Sequence, residues 1–251
     1  MQRREFIQLM GGIGMSTMAV NAATRTRFYL MQTYFLKHGT QLARVHDYFN
    51  TSLIPWMSKT HPGPILALEA LVATHTPQAV FLSGHGSLEE VLALKDSMAA
   101  KGFAEWEAGP EAPYEHYTAA LLQATDYSPE VATPPEPPKK PRIFEIRQYH
   151  SPTWRQLGFL HERFSGPEIQ IFHRVGVHPI LYSQTVIGPN MPNLTYVIPF
   201  EDLAARERAW DAFGADPEWQ KVRKESVEHG GQIASVNSIS LYRAAAYSPI
   251  R

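Results

Sequence analysis

Ile143-Phe144-Glu145-Ile146-Arg147-Gln148-Tyr149 alternates apolar and polar side chains with a period close to two, the pattern of a strand with one buried face. It opens a stretch, Arg142 to Arg243, that reads as strand, helix, hairpin, helix and strand. Trp154 to Phe172 sets Leu157, Leu160, Phe164, Ile169 and Phe172 at roughly helical spacing. Gly166-Pro167 is predicted to kink or split that helix, because proline removes a donor and crowds the preceding turn. Two β-rich runs, residues 179–187 and 194–198, flank the turn-rich Gly188-Pro189-Asn190-Met191-Pro192-Asn193 and predict a hairpin. Glu201 to Phe213 is helix-prone, and Asp216-Pro217-Glu218-Trp219 places an N-cap Asp before a proline at the first helical position. Ser238 to Arg243 closes the unit. The order βαββαβ is that of the ferredoxin-like split unit, a four-stranded antiparallel sheet with helices on one face.

The preceding hundred residues repeat this unit in degenerate form. A constant shift of 115 positions carries Leu42 to Leu157, His46 to His161, Phe49 to Phe164, Pro64-Ile65-Leu66 to Pro179-Ile180-Leu181, Pro77 to Pro192 and Leu88 to Leu203. With small changes of shift, Glu105-Trp106 matches Glu218-Trp219 and Tyr127-Ser128-Pro129 matches Tyr247-Ser248-Pro249. One offset across helix, strand, turn and second helix reads as two tandem copies, residues 26–129 and 142–249. Between them, residues 130–141 carry Pro134-Pro135, Pro137-Pro138 and Pro141, a semi-extended linker. The fold class expected is α+β, two tandem ferredoxin-like units with antiparallel sheets.

The strand Phe144-Glu145-Ile146-Arg147-x-Tyr149, the helix Phe200 to Arg208 and Asp216-Pro217-Glu218-Trp219 resemble the NIPSNAP family, within the dimeric α/β-barrel superfamily. The motifs are full in the second copy and decayed in the first, where Asp-Pro is absent before Glu105-Trp106 and Ser87-Leu88-Glu89-Glu90 stands at the start of the charged helix. The resemblance implies that the open faces of two sheets meet to form a barrel, within one chain or between chains. It implies no agreed reaction, only roles in binding or trafficking. Relatives in the wider superfamily include cofactor-independent monooxygenases and haem-degrading or haem-dependent enzymes, and on that analogy His161, His173, Arg147 and Tyr149 are the catalytic candidates.

At 251 residues and 28.3 kDa the chain is long enough for two cores. Its net charge of −1 and lack of a basic block argue against nucleic acid as a partner. Residues 1–22 read as an export signal: Arg3-Arg4-x-Phe6-Ile7 fits the twin-arginine pattern, Leu9 to Val20 is weakly apolar, and Val20-Asn21-Ala22 offers a cleavage site. The apolar segment is too short and glycine-rich to span a bilayer. A periplasmic or otherwise exported protein follows, with no integral span in the mature form. There is no cysteine, which excludes disulfides, iron–sulfur clusters and thiolate zinc sites. Phe28, Leu30 and Gln32 alternate with Tyr29, Met31 and Thr33. Ile65 to Val72 is likewise apolar on both sides, as expected of a sheet covered by helices on one face and by a second sheet on the other.

Eleven histidines are the notable reactive inventory. His161 and its counterpart His46 sit mid-helix. His173 and His178 flank Arg174-Val175-Gly176-Val177, and with His161 and His150 they would gather at one sheet end if they bound iron or another metal. No His pair at helical spacing or His-Glu-x-x-His run supports a metal, so no metal ligand is assigned and no cofactor is expected, with haem or a metal left as a weakly supported alternative. His75, His85 and His116 lie near turns and read as solvated, as does the charged face of Asp202, Arg206 and Arg208. Arg147 and Tyr149 share a strand face, and Tyr182 and Tyr196 stand on the adjoining hairpin. If that face lined the space between the sheets, a cation beside phenols would suit an anionic aromatic or enolate-like ligand. Otherwise aromatics fill the barrel and Arg147 pairs with Glu145 or Asp202 at its rim. Trp210 and Trp219 read as core anchors. Neither a phosphate-binding glycine loop nor a Gly-x-Ser-x-Gly elbow is present.

The reading is an exported binding protein for a small apolar or aromatic molecule, or for a partner protein, with the inter-sheet space as pocket. Tyr182, Tyr196, His178 and His46 are its ligand-contact candidates, and homo-oligomerisation stays open. The competing reading is a monooxygenase-type enzyme, either cofactor-independent or haem-linked.

Overall fold

The computed structural model describes residues 25–98, 102–136 and 138–251, so the export signal expected at residues 1–22 lies outside the described residues. Eight strands form one closed antiparallel barrel in the order β1-β3-β2-β8-β5-β7-β6-β4. They are β1 Phe28–Phe35, β2 Ile65–Val72, β3 Gln78–His85, β4 His116–Ala124, β5 Ile143–His150, β6 Leu181–Ile187, β7 Asn193–Phe200 and β8 Val236–Ala244. The first four and the last four each follow the ferredoxin-like pattern. The halves join edge to edge twice, with Glu69 opposite Arg243 across β2–β8 and Gln123 opposite Gln184 across β4–β6. Among the described residues no sheet edge is left open, which removes the template for edge-to-edge aggregation.

Helices α1 Gln41–Tyr48, α2 Ile54–Thr60, α3 Leu88–Met98 and α4 Ala104–Glu107 belong to the first unit; α5 Trp154–Arg163, α6 Ile169–Arg174, α7 Leu203–Ala215 and α8 Pro217–Gly230 belong to the second. The predicted break in the long helix is present: α5 and α6 are separated by a π-helical turn, Phe164–Glu168, with Gly166 outside helical geometry. The first unit has the same insertion at Phe49–Leu53. Asp202 caps α7 through Ala205 N–H, and Asp216 caps α8 through the N–H groups of Glu218 and Trp219, satisfying donors that a helix start leaves free. Among the described residues no helix is long and apolar enough to cross a membrane.

Three cores result. Two lie between the outer faces of the sheets and the helices, one per unit. The third is the barrel lumen, where Tyr29, Leu66, Leu68, Leu82, Leu122, Phe144, Leu181 and Val197 meet. An eight-stranded barrel is just wide enough for side chains to fill, and here they largely do. The expected inter-sheet pocket is therefore reduced to a small space at one mouth.

The two matching tripeptides prove to be straps that cross over. Ser128, beyond β4, accepts a hydrogen bond from Tyr182 N–H of the second unit at 3.0 Å. Ser248, beyond β8, accepts one from Ala67 N–H of the first unit at 2.9 Å. Each strap also presents its tyrosine to the partner unit's long helix: Tyr127 hydroxyl lies 2.6 Å from His161 Nδ1, and Tyr247 hydroxyl 2.6 Å from His46 Nδ1. The kept histidines thus help to lock one unit onto the other.

Candidate functional site

The pleat sends Phe144 and Ile146 into the lumen and Glu145, Arg147 and Tyr149 outward, under the helices. The face predicted for the inter-sheet space is therefore the helix-covered one. The lumen is lined instead by the opposite, aliphatic face of the same strands, and the polar face finds its partners on the helices. Tyr149, Tyr182 and Tyr196 pack there with Leu157, Phe164, Phe172, Trp210 and Trp219. Both tryptophans anchor this core, as their spacing predicted.

Glu145 is fully buried, at 0% exposure, which corrects the expected pairing at a rim. It accepts from Nε of Arg147, from Nε of Arg206 on α7 and from Trp210 Nε1. Arg206, expected to be solvated, is drawn inward by that carboxylate. The Arg147 guanidinium lies 3.5 Å from the centre of the Trp210 ring and donates to Tyr149 hydroxyl at 2.9 Å. Burial would lower the Arg147 pKa, but the phenols Tyr196 and Tyr149 and the Glu145 carboxylate outweigh it and raise it above the ordinary guanidinium value. Each charge in such a layer must be matched, since an isolated buried ion is too costly to keep.

A second pair lies beside it. Arg163, the last residue of α5, donates from Nε to Glu168 at 2.7 Å and sits over Trp219 at 5.0 Å. Burial raises the Glu168 carboxyl above its ordinary value, with the Arg163 charge pulling it back. Tyr182 and Tyr196 stack at 5.8 Å, and their buried hydroxyls have no hydrogen-bond partner among the described residues. Burial pushes both phenols well above their usual range. Glu168 and Arg163 were not singled out from the sequence, where Glu145 entered only as a rim partner of Arg147 and Arg206 only as part of a solvated helix face. A charged residue on an apolar strand or helix is visible there, but the partner that makes it a buried pair is 61 positions away for Glu145 and Arg206.

His161 lies at a separate, solvent-facing cleft. Its Nδ1 faces the Tyr127 hydroxyl, while its Nε2 is buried and has no hydrogen-bond partner among the described residues. Burial lowers the His161 pKa, and nearby Gln184 partly offsets the shift. A neutral ring that accepts from Tyr127 at Nδ1 carries its proton on Nε2, so the free nitrogen is a donor. Around it a cleft of about 410 Å3 is lined by Tyr127, His161, Gln184, Gln123, Thr125 and Glu162, among others. Of the eight candidates, Arg147, Tyr149, Tyr182 and Tyr196 share the buried layer, and His161 stands apart from it at the cleft.

The others lie elsewhere. His173 and His178 are exposed and stack on each other at 5.1 Å between α6 and β6. His150 Nε2 is 3.0 Å from the Ser238 hydroxyl, so these histidines and His161 do not gather at one sheet end. Among the described residues no three His, Asp or Glu side chains form a metal-sized group. His46 belongs to the first unit, between Tyr247 and Glu69. His85, expected to be solvated, is 1% exposed, bonded to Ser83 at 2.9 Å and 4.4 Å from the His61 ring. Burial, with His61 adding to it, lowers its pKa to about 3.

Residues 144–249 match the family model of NIPSNAP. No curated protein matches the chain. Among solved structures, an anthrone oxidase-like protein is similar at 10% identity and a TM-score of 0.56, over 88% of this chain and 92% of that one. A putative monooxygenase from Fusobacterium nucleatum is similar at 10% identity and 0.55, over 88% and 93%. A putative monooxygenase from Lactobacillus acidophilus NCFM is similar at 11% identity and 0.50, over 87% and 94%. At these identities the likeness is one of fold, the dimeric α/β barrel.

Proposed function

We propose that the chain is a tandem, exported NIPSNAP-type protein that binds a small aromatic molecule bearing a carbonyl or comparable acceptor, in the cleft where the strap of the first unit meets His161 of the second. The observation that carries this reading is His161 Nε2 at that cleft, buried and without a well-formed hydrogen bond among the described residues, the Gln184 amide being its polar neighbour. A buried donor without an acceptor costs about 1–3 kcal/mol, and a ligand oxygen placed there would recover it. Tyr127 supplies an aromatic wall and Gln184 a further polar contact, while Glu162 and Asp126 on the rim disfavour an anion. The barrel itself serves as scaffold, because its lumen is largely filled. The family match covers the unit that supplies His161, Glu162 and Gln184 to that cleft.

Native mass spectrometry of mature protein recovered from the periplasm is the direct test. A small organic mass carried by the wild type and lost in His161→Ala is expected. For protein without a retained ligand, added acetophenone should displace the His161 ring resonances. A bare polypeptide mass together with unmoved His161 resonances would overturn the reading. Export is tested separately: Arg3→Lys with Arg4→Lys should hold the precursor in the cytoplasm, as expected of a twin-arginine signal.

A further inference from the structure

The barrel lumen changes character along its axis. Its middle is aliphatic and aromatic, but at the end where β1 finishes and β3, β4 and β8 begin the inward side chains are hydroxyls and amides. A cavity of about 170 Å3 opens there, with Gln78, Thr118, Gln148, Thr195, Ser240 and Tyr242 among its lining. Met31, Val80 and Ile146 form its apolar side, and none of the lining side chains is charged. Asn190 and Ser238 at the rim are exposed, so the space meets solvent. The β6–β7 turn roofs it closely: Gly188 has φ of +155°, and a Cβ there would stand 2.9 Å from Ala120 Cβ.

Gln78 gives the cavity a direction. It is 5% exposed; its amide nitrogen donates to Tyr242 hydroxyl at 3.4 Å, and its Oε1 is buried with no partner among the described residues. A buried acceptor without a donor, at the wall of a neutral, half-apolar space, is incomplete by the ordinary rule that buried polar groups are paired. The volume sets the size of what completes it: a dry cavity of about 150 Å3 accommodates a benzene ring.

We propose that this lumen mouth is a second binding site, separate from the His161 cleft, for an uncharged single-ring phenol. The hydroxyl donates to Gln78 Oε1 and the ring lies against Met31, Val80 and Ile146. An anion is rejected because the lining offers no cation to match it, and the aliphatic middle of the lumen below blocks deeper entry.

The test is titration of the full chain with phenol, benzoate and acetophenone, followed by amide resonances. Phenol is expected to move Gln78, Ala120 and Ser240, whereas benzoate and acetophenone, which lack a proton to donate at neutral pH, leave them in place. Gln78→Met keeps the length of the side chain but removes the acceptor, and should weaken phenol about fivefold, the scale of one net hydrogen bond. Ala120→Leu, which fills the space from another strand, should abolish binding and is read beside it in case either variant folds poorly. Equal binding of benzoate, unchanged phenol affinity in Gln78→Met, or phenol shifts confined to Tyr127 and His161 would each overturn the proposal.

Discussion

The two units place the same elements at a shift of 115 residues, yet they fill the space under their helices in opposite ways. Where the second unit has Glu145, Arg147, Arg163 and Glu168, the first has Leu30, Gln32, Tyr48 and Leu53. Where the second has Tyr182 and Tyr196, the first has Ala67 and Phe81. The first unit's core is an ordinary apolar cluster of Tyr34, Phe49, Leu53, Met57 and Phe81. One scaffold therefore accepts both solutions, and the apolar one is the less demanding, since a buried ion pair often contributes no more stability than well-packed hydrophobic residues. Its persistence in only one unit argues that the charged layer is kept for something other than folding. The polarity reverses at the far end of β3, where the first unit buries Ser83 and His85 and the second has Ile198 and Phe200.

Grafting the first unit's residues into the second is the sharpest way to break this contrast. Glu145→Leu alone strands Arg147 and Arg206 beside a hydrocarbon and is expected to cost about 3–5 kcal/mol. Glu145→Leu with Arg147→Gln restores the pair that the first unit uses, Leu30 and Gln32, and should recover the part of that loss due to Arg147, while Arg206, 24% exposed, can turn to water. Urea unfolding of the single and double variants measures both. A double variant no more stable than the single one would show that the two layers are not alternative fillings of one scaffold.

The first unit's own buried polar group gives a smaller, pH-dependent effect. His85 has a folded pKa of about 3 against roughly 6.5 when unfolded, so between those values the unfolded chain binds the extra proton. Its contribution is complete above about pH 6.5 and is lost as pH falls toward 3, by up to about 1.4 kcal/mol per pH unit. Glu168 acts in the opposite sense, because its raised folded pKa favours the protonated native state as pH falls. Unfolding free energies at pH 6.5 and 4.5 should therefore differ by about 2–3 kcal/mol less in His85→Gln than in the wild type. An unchanged slope would mean that His85 is not held neutral.

Why these differences escaped the sequence is a matter of facing and distance. The βαββαβ order was legible because alternation at Ile143 to Tyr149, the Gly166-Pro167 break and the Asp216-Pro217 cap are local signals that tertiary contacts did not override. Closure was legible in the two-sided apolarity of Phe28 to Tyr34. Which face of β5 turns inward was not, because both carry large side chains and a single-residue ambiguity exchanges them. Phe144 and Ile146 suit a narrow lumen, whereas Glu145 needs the donors that only α7 supplies. The Tyr127 and Tyr247 tripeptides could be seen as a repeat. That each strap serves the opposite unit appears only once the barrel is closed.

Those straps provide the finest comparison. Tyr127→Phe leaves both ring nitrogens of His161 without a partner, since Nε2 already lacks one, and should cost about 1–2 kcal/mol as a buried polar group loses its last hydrogen bond. Tyr247→Phe removes the equivalent contact from His46, but that ring retains Glu69 at 3.2 Å and its side chain is 23% exposed, so water can replace the phenol. Its cost should stay below about 1 kcal/mol. The histidine resonances separate the cases further: the His161 ring signals should broaden in Tyr127→Phe as the ring gains freedom, whereas those of His46 stay sharp in Tyr247→Phe. Equal losses in the two variants would place both histidines in purely structural locks, and would remove the asymmetry on which a ligand site at His161 depends.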